Sequence, residues 1–120
     1  MGWKMVNYTR YEPEQCEFVE IGALSELPNG ARLFVEIDGQ PIVVFNIGDE
    51  LYAIADLCSH DDGPLGDGEL DGYKITCPRH GAIFDVRSGK VLALPAVVDI
   101  PAYPVRVIRG ETIEIGLPVE

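Results

Sequence analysis

Two short stretches, Cys58-Ser59-His60 and Cys77-Pro78-Arg79-His80-Gly81, decide both the fold and the chemistry of this chain. Each stretch puts a thiolate and an imidazole on one loop, and sixteen residues separate the two stretches. Such ligands suit zinc, and they also suit an iron–sulfur cluster in which two histidines replace two cysteines on one iron. Structural zinc sites usually begin from a pair of closely spaced cysteines, which this pattern lacks. The spacing favours an asymmetric diiron cluster, with a zinc-stabilised module as the alternative.

The segment before the first stretch predicts three antiparallel strands. Residues 32–37 alternate between apolar and polar side chains, which is typical of a half-buried strand. The dipeptide Asp38-Gly39 is a strong tight-turn signal, and residues 41–45 are apolar again. A further turn near Gly48-Asp49 leads to an apolar run at residues 51–55. We expect these three strands to form a meander.

The segment after the second stretch predicts one more hairpin, from residues 105–108 and 112–115. Between the two hairpin regions lies a part rich in Gly and Pro, residues 57–95. Short strands are expected within it at residues 74–77 and 82–86. Its composition indicates an insertion between the two ends of a shared barrel.

Length and composition indicate a single β-rich domain. A chain of 120 residues with 13 Gly, 9 Pro and 47% hydrophobic residues has room for one modest core and many turns. The best helical candidate, residues 23–27, is ended by Pro28 within about two turns. We therefore expect an all-β fold.

The charge, the lack of long apolar runs and the position of Cys16 indicate which partners, location and ligands to expect. A formal net charge of −11 argues against nucleic acid and anionic membrane as partners, because both need a basic footprint. No apolar run reaches the length of a membrane span, and the first residues lack the apolar stretch of a signal peptide. We expect a cytoplasmic protein. Cys16 lies outside both motifs and is expected to be a free thiol.

The sequence resembles the Rieske family from about Phe18 to Leu117, through the motifs at residues 58–65 and 77–85. The resemblance implies the Rieske fold, in which residues 18–55 and 96–116 form an antiparallel β-barrel base. The base presents an inserted cluster-binding subdomain at its tip.

The resemblance also implies a division of the chain into parts. Residues 1–17 would be an N-terminal extension and residues 18–120 the Rieske domain, with the cluster-binding subdomain at about residues 57–95. Within the subdomain, residues 94–96 lie where the family's proline loop covers the cluster.

The ligand set follows from the same resemblance. One [2Fe–2S] cluster is implied, with Cys58 and Cys77 on the inner iron. His60 and His80 would bind the outer iron through their Nδ1 atoms and turn their other edges toward solvent. All four ligand positions of the pattern are present in this sequence.

Two departures from the cytochrome bc branch of the family bear on the reduction potential. That branch has an extra cysteine in each loop, where this chain has Gly63 and Arg79, so no disulfide can join the loops. It also aims Ser and Tyr hydroxyls at the cluster sulfurs, where this chain has Ala82 and Phe84. Because donors to sulfur stabilise the reduced state, we predict the low end of the range of roughly −150 to +300 mV.

These features resemble the small ferredoxins of bacterial ring-hydroxylating oxygenases. Such a protein is not itself an enzyme: it passes one electron from a flavin-dependent ferredoxin reductase to a terminal non-haem iron oxygenase. The alternatives are a small Rieske subunit of a nitrite-reductase-like complex and a ferredoxin associated with iron–sulfur assembly. Acidic residues from Asp61 to Asp71 either steer a basic partner or solvate an exposed segment. The oligomeric state stays open.

Overall fold

The computed structural model describes residues 11–119. Within this range the helical elements are two 3-10 turns, Pro13–Gln15 and Leu24–Glu26, and the remaining regular structure is β. The all-β prediction is confirmed. The helical candidate at residues 23–27 reduces to the second of these turns, and Leu27 behind it is fully buried. Most of the predicted extension, residues 1–10, lies outside the described residues.

Three antiparallel sheets make up the described part of the chain. The strands are β1 (Cys16–Ala23), β2 (Arg32–Ile37), β3 (Gln40–Ile47), β4 (Glu50–Ala55), β5 (Glu69–Asp71), β6 (Lys74–Thr76), β7 (Ile83–Asp85), β8 (Val91–Ala93), β9 (Ala102–Tyr103), β10 (Val105–Ile108) and β11 (Thr112–Pro118). The first sheet has the order β1-β11-β10, the second β2-β3-β4-β9, and the third β5-β6-β7-β8.

The predicted meander and C-terminal hairpin are both confirmed. Strands β2, β3 and β4 pair in sequence order, and β10 pairs with β11. Asp38 and Gly39 both have positive φ, at 53° and 79°, which matches the right-handed twist of the strands they join. Sequence analysis gave no separate signal for β1 and β9, which are held by pairing with β11 and β4.

Strand β3 of the second sheet is buried on both faces, because the first sheet packs on one face and the third sheet on the other. Val43 and Phe45 of β3 belong to a core shared with the third sheet and the two motif cysteines. Ile42 and Val44 point the other way, into a core shared with the first sheet. A strand covered on both sides reads as a continuous apolar run, as residues 42–45 do.

Candidate metal centre

The second motif forms the loop between β6 and β7, which we call the second ligand loop (residues 77–82). Cys77 N donates to Ala82 O at 2.7 Å, and Gly81 N donates to Cys77 O at 3.0 Å. Gly81 has φ +81°, a backbone conformation that residues with a Cβ rarely adopt. The tight turn buries Cys77 and leaves His80 exposed.

The first motif lies in the longer loop between β4 and β5, the first ligand loop (residues 56–68). Cys58 N donates to Gly63 O at 2.8 Å, and Asp62 N donates to Cys58 O at 2.7 Å. These bonds wrap the loop around the cysteine, whose side chain is then buried against the core.

Two charged side chains hold the backbone of the first ligand loop, one from within the loop and one from the second sheet. Asp56 Oδ1 accepts the N–H groups of Leu65 at 2.9 Å and Gly66 at 2.6 Å. Arg32, on β2, donates from Nη1 to the carbonyl oxygens of Gly66 and Gly68. Sequence analysis missed both residues, because neither lies in a ligand motif and each acts on backbone groups distant in sequence.

The structure brings the four predicted ligand residues together at one tip. Cys58 is 0% exposed and Cys77 1% exposed, whereas His60 and His80 are both exposed. The two imidazole rings are 4.9 Å apart at their centroids and nearly perpendicular, at 79°. The sulfurs of the two cysteines also lie within 4.8 Å of one another. Sulfur is thus on the inside and nitrogen on the surface.

Backbone N–H groups near the two cysteines lower the pKa of each thiol. Burial raises the pKa of the Cys58 thiol, and the N–H groups of His60 and Asp61 act against that rise. Burial raises the pKa of Cys77 as well, but the N–H groups of His80 and Arg79, the Cys58 thiol and the Arg79 charge together outweigh it, so the pKa of Cys77 lies below the usual thiol value. Donors of this kind stabilise negative charge on sulfur.

This donor set fits a [2Fe–2S] cluster of mixed ligation. Such a cluster requires cysteine sulfurs on one iron and imidazoles on the other, and both kinds of ligand lie at this tip. Asp61 also lies within 4.8 Å of the two sulfurs, but its carboxylate accepts hydrogen bonds from Arg79 at 2.6 and 2.8 Å. The guanidinium holds the pKa of the Asp61 carboxyl well below its usual range. Asp61 is therefore committed to Arg79, and the zinc alternative gains no ligand from it.

A third loop, residues 94–98, contacts the first ligand loop. Ser59 Oγ donates to Val98 O. Ala96 is buried, whereas Leu94 is 74% exposed and Val97 is 72% exposed. The loop that contacts Ser59, the residue before His60, therefore exposes apolar side chains.

The two positions predicted to lack donors to sulfur are both in the core. Ala82 and Phe84 are fully buried, in the same cluster of side chains as the two motif cysteines. Neither side chain can donate a hydrogen bond. This arrangement is consistent with the expectation of a low reduction potential.

Cys16 lies apart from this centre. It begins β1, where it pairs with Pro118 in the first sheet, and no disulfide involves any cysteine of the described residues. Burial raises the pKa of its thiol. It stays outside the ligand set, as expected.

Buried thiolates and exposed imidazoles at the tip of an all-β scaffold define an iron–sulfur protein of the electron-transfer class. The Rieske [2Fe–2S] domain family matches residues 17–104, and the chain belongs to that family. It carries one [2Fe–2S] cluster and works as an electron carrier rather than as an enzyme.

Relatives and solved structures agree with this assignment. The ferredoxin component of the naphthalene 1,2-dioxygenase system of Pseudomonas aeruginosa is 36% identical over 101 residues, which are 84% of this chain and 96% of that protein. The ferredoxin of carbazole 1,9a-dioxygenase from Nocardioides aromaticivorans IC177 superposes with a TM-score of 0.76 at 36% identity, covering 85% of this chain and 98% of its own. A chain from a complex of reduced oxygenase and oxidised ferredoxin in carbazole 1,9a-dioxygenase also gives a TM-score of 0.76, at 33% identity, covering 86% and 96%.

Among the described residues, no helix has the length and apolar character needed to cross a bilayer.

Proposed function

We propose that this chain is the ferredoxin component of a ring-hydroxylating dioxygenase system. It accepts one electron from a flavin-dependent ferredoxin reductase and passes it to a terminal non-haem iron oxygenase. The observation that carries the proposal is the arrangement of the tip, where two exposed imidazoles cover two buried cysteines. The cluster, when bound, supplies a single reversible electron.

Within this function, Cys58 and Cys77 hold the inner iron and His60 and His80 hold the outer iron. The burial of the two cysteines and the exposure of the two histidines support this division. His80 Nε2 lies 3.4 Å from an oxygen of Asp61, so its Nδ1 atom is the one left for the metal. The imidazole edges then provide a short covalent route from the iron to the surface.

The similarity to dioxygenase ferredoxins supports the choice of partners. The matched relative is named as a component of a dioxygenase system, and a matched structure is a complex of a ferredoxin with its oxygenase. The exposed apolar side chains of Leu94 and Val97, on the loop that contacts Ser59, give such a partner a surface to bury. The net charge of −11 suits basic partners in the cytoplasm.

The test begins with protein purified without oxygen and reduced with dithionite. We expect two irons and two sulfides per chain and a rhombic EPR signal with an average g value below that of the free electron. A colourless protein with stoichiometric zinc would refute the cluster assignment.

The partner assignment needs a second experiment. The loaded protein should support turnover when it is mixed with a dioxygenase reductase and its oxygenase. Transfer only to a nitrite reductase or to an iron–sulfur assembly complex would keep the carrier role and refute the proposed system.

A further inference from the structure

Arg79 directs its guanidinium away from its own loop. Its Nε donates to Asp61 Oδ2 at 2.6 Å, its Nη2 to Asp61 Oδ1 at 2.8 Å, and its Nη1 to Pro64 O at 2.6 Å. Each acceptor lies on the first ligand loop, 15 to 18 residues earlier in the chain. One side chain of the second ligand loop therefore makes three hydrogen bonds to the first.

The first ligand loop is shaped to receive this guanidinium. A Cβ atom at Gly63 would lie 2.6 Å from Cζ of Arg79, so a larger residue at Gly63 would displace the side chain. Gly63 N donates to Asp61 Oδ1 at 3.1 Å, and this bond holds the carboxylate from its own loop. The acceptor is thus also held by a hydrogen bond from its own loop.

Each ligand loop supplies one sulfur and one imidazole, so the relative position of the loops sets the shape of the metal site. Arg79 lies between the ligand positions Cys77 and His80, and Asp61 follows His60 directly. From this geometry we propose that Arg79 and Asp61 form an ionic clamp that positions the two ligand loops and retains the cluster. The proposal rests on the ligand set given under Proposed function.

An ordinary exposed ion pair contributes little to stability, so the geometry of this pair decides how strongly it holds the two loops together. The side chains of Arg79 and Asp61 are 33% and 24% exposed, and the pair is bidentate. Bidentate guanidinium–carboxylate pairs are the stronger and more directional kind. Residues that support metal ligands from outside the first coordination sphere typically change metal affinity by about 10–100-fold when they are replaced.

A second arginine offers a matched control. Arg87 donates from Nε and Nη2 to Asp85 at 3.0 and 2.8 Å, which is the same bidentate pairing. Its partner lies two residues away in the same turn, so this pair joins no loops. Arg79→Met and Arg87→Met remove the same charge and the same kind of ion pair, and only the first opens the proposed clamp.

The measurement is the rate at which loaded protein loses its visible absorbance in the presence of an excess of iron chelator. We expect Arg79→Met to lose its cluster about tenfold faster than the wild type. Arg87→Met should lose its cluster at the wild-type rate. Asp61→Asn should lose its cluster faster than the wild type, as Arg79→Met does. The effects of Asp61→Asn and Arg79→Met should be less than additive in the double variant, because the two changes share the loss of one ion pair.

Two readouts separate positioning from general stability. The EPR line shape should change in Arg79→Met and not in Arg87→Met, because only the first alters how the loops face each other. Raising the ionic strength from 0.1 to 1 M shortens the screening length from about 10 to about 3 Å. Cluster loss should accelerate with this salt in the wild type and respond less in Arg79→Met.

Equal rates of cluster loss and unchanged EPR spectra in Arg79→Met and Arg87→Met would overturn the clamp. Isolation of folded Arg79→Met without a cluster, beside loaded Arg87→Met, would support it. A wild type that holds no iron and sulfide would refute the ligand assignment instead, so the two failures are distinguishable.

Discussion

Replacing Asp56 by Ala should weaken the whole protein through the first ligand loop. The carboxylate accepts two N–H groups, from Leu65 and Gly66, and both of these residues are buried. Alanine would leave the two donors without this acceptor. A hydrogen bond to a charged group contributes about 1.5–3 kcal/mol, and an orphaned buried donor is penalised by about 1–3 kcal/mol.

Since both bonds share one oxygen, we take the total loss as about 2–4 kcal/mol. A loss of 1 kcal/mol lowers the unfolding midpoint by about 3–6 °C for a chain of this size. The apparent midpoint of Asp56→Ala should therefore fall by roughly 6–24 °C. Because Cys58 lies in the same loop, loss of visible absorbance should come earlier by a similar interval.

The assay is thermal unfolding of the loaded protein, followed by far-UV circular dichroism and by visible absorbance at one fixed scan rate. Asp67→Ala is the matched control, because it removes the same charge from an exposed position of the same loop. Asp56→Asn keeps an oxygen acceptor, so its unfolding midpoint should fall clearly less than that of Asp56→Ala. The reasoning fails if Asp56→Ala and Asp67→Ala have the same unfolding midpoint, or if Asp56→Asn is as unstable as Asp56→Ala.

Two further predictions concern buried aromatic rings. Phe84→Tyr places a hydroxyl in the core that holds both motif cysteines, and a hydrogen bond to cluster sulfur of about 1 kcal/mol would raise the reduction potential by on the order of 50 mV. Protein-film voltammetry measures this shift, and an unchanged potential in a fully loaded variant would count against it. Burial, and secondarily Tyr11, raises the pKa of the Tyr103 phenol above its ordinary value of about 10. The neutral form is favoured in the folded state, so stability is full below about pH 10 and falls as the pH rises further. Denaturant midpoints of Tyr103→Phe should decline less than those of the wild type between pH 10 and 12, and parallel curves would contradict this.

The strands that carried a clear local signal could be predicted from the sequence. The alternation at residues 32–37 and the turn at Asp38-Gly39 depend on neighbouring residues, and the structure has the same hairpin. Strand β9 has two residues, Ala102 and Tyr103, and exists through its pairing with Ile54 and Ala53. A pairing between residues some 50 positions apart leaves no local pattern to detect.

The candidate site also combines residues that a local sequence pattern predicts with residues that only the three-dimensional structure brings together. The spacing of cysteine and histidine singled out four residues, and the structure places them together at one tip. The cysteine and histidine spacing does not indicate that Asp56 organises the backbone of the first ligand loop. Asp61 was grouped with the acidic residues of a solvated or steering run, yet it pairs with Arg79 on the other loop. Ion pairs between loops depend on their three-dimensional approach, which charge patterning along the sequence does not encode.

Both imidazole rings lie at the same tip, 4.9 Å apart. The electron that enters through this tip must also leave through it, so the donor and the acceptor compete for one footprint. Every delivery then includes one dissociation, and the residence time on the slower partner bounds the throughput of the whole system. Selection on such a carrier favours small, quickly released interfaces over tight ones. We expect brief encounters with both partners, and a mutation that strengthens binding to either one should slow turnover.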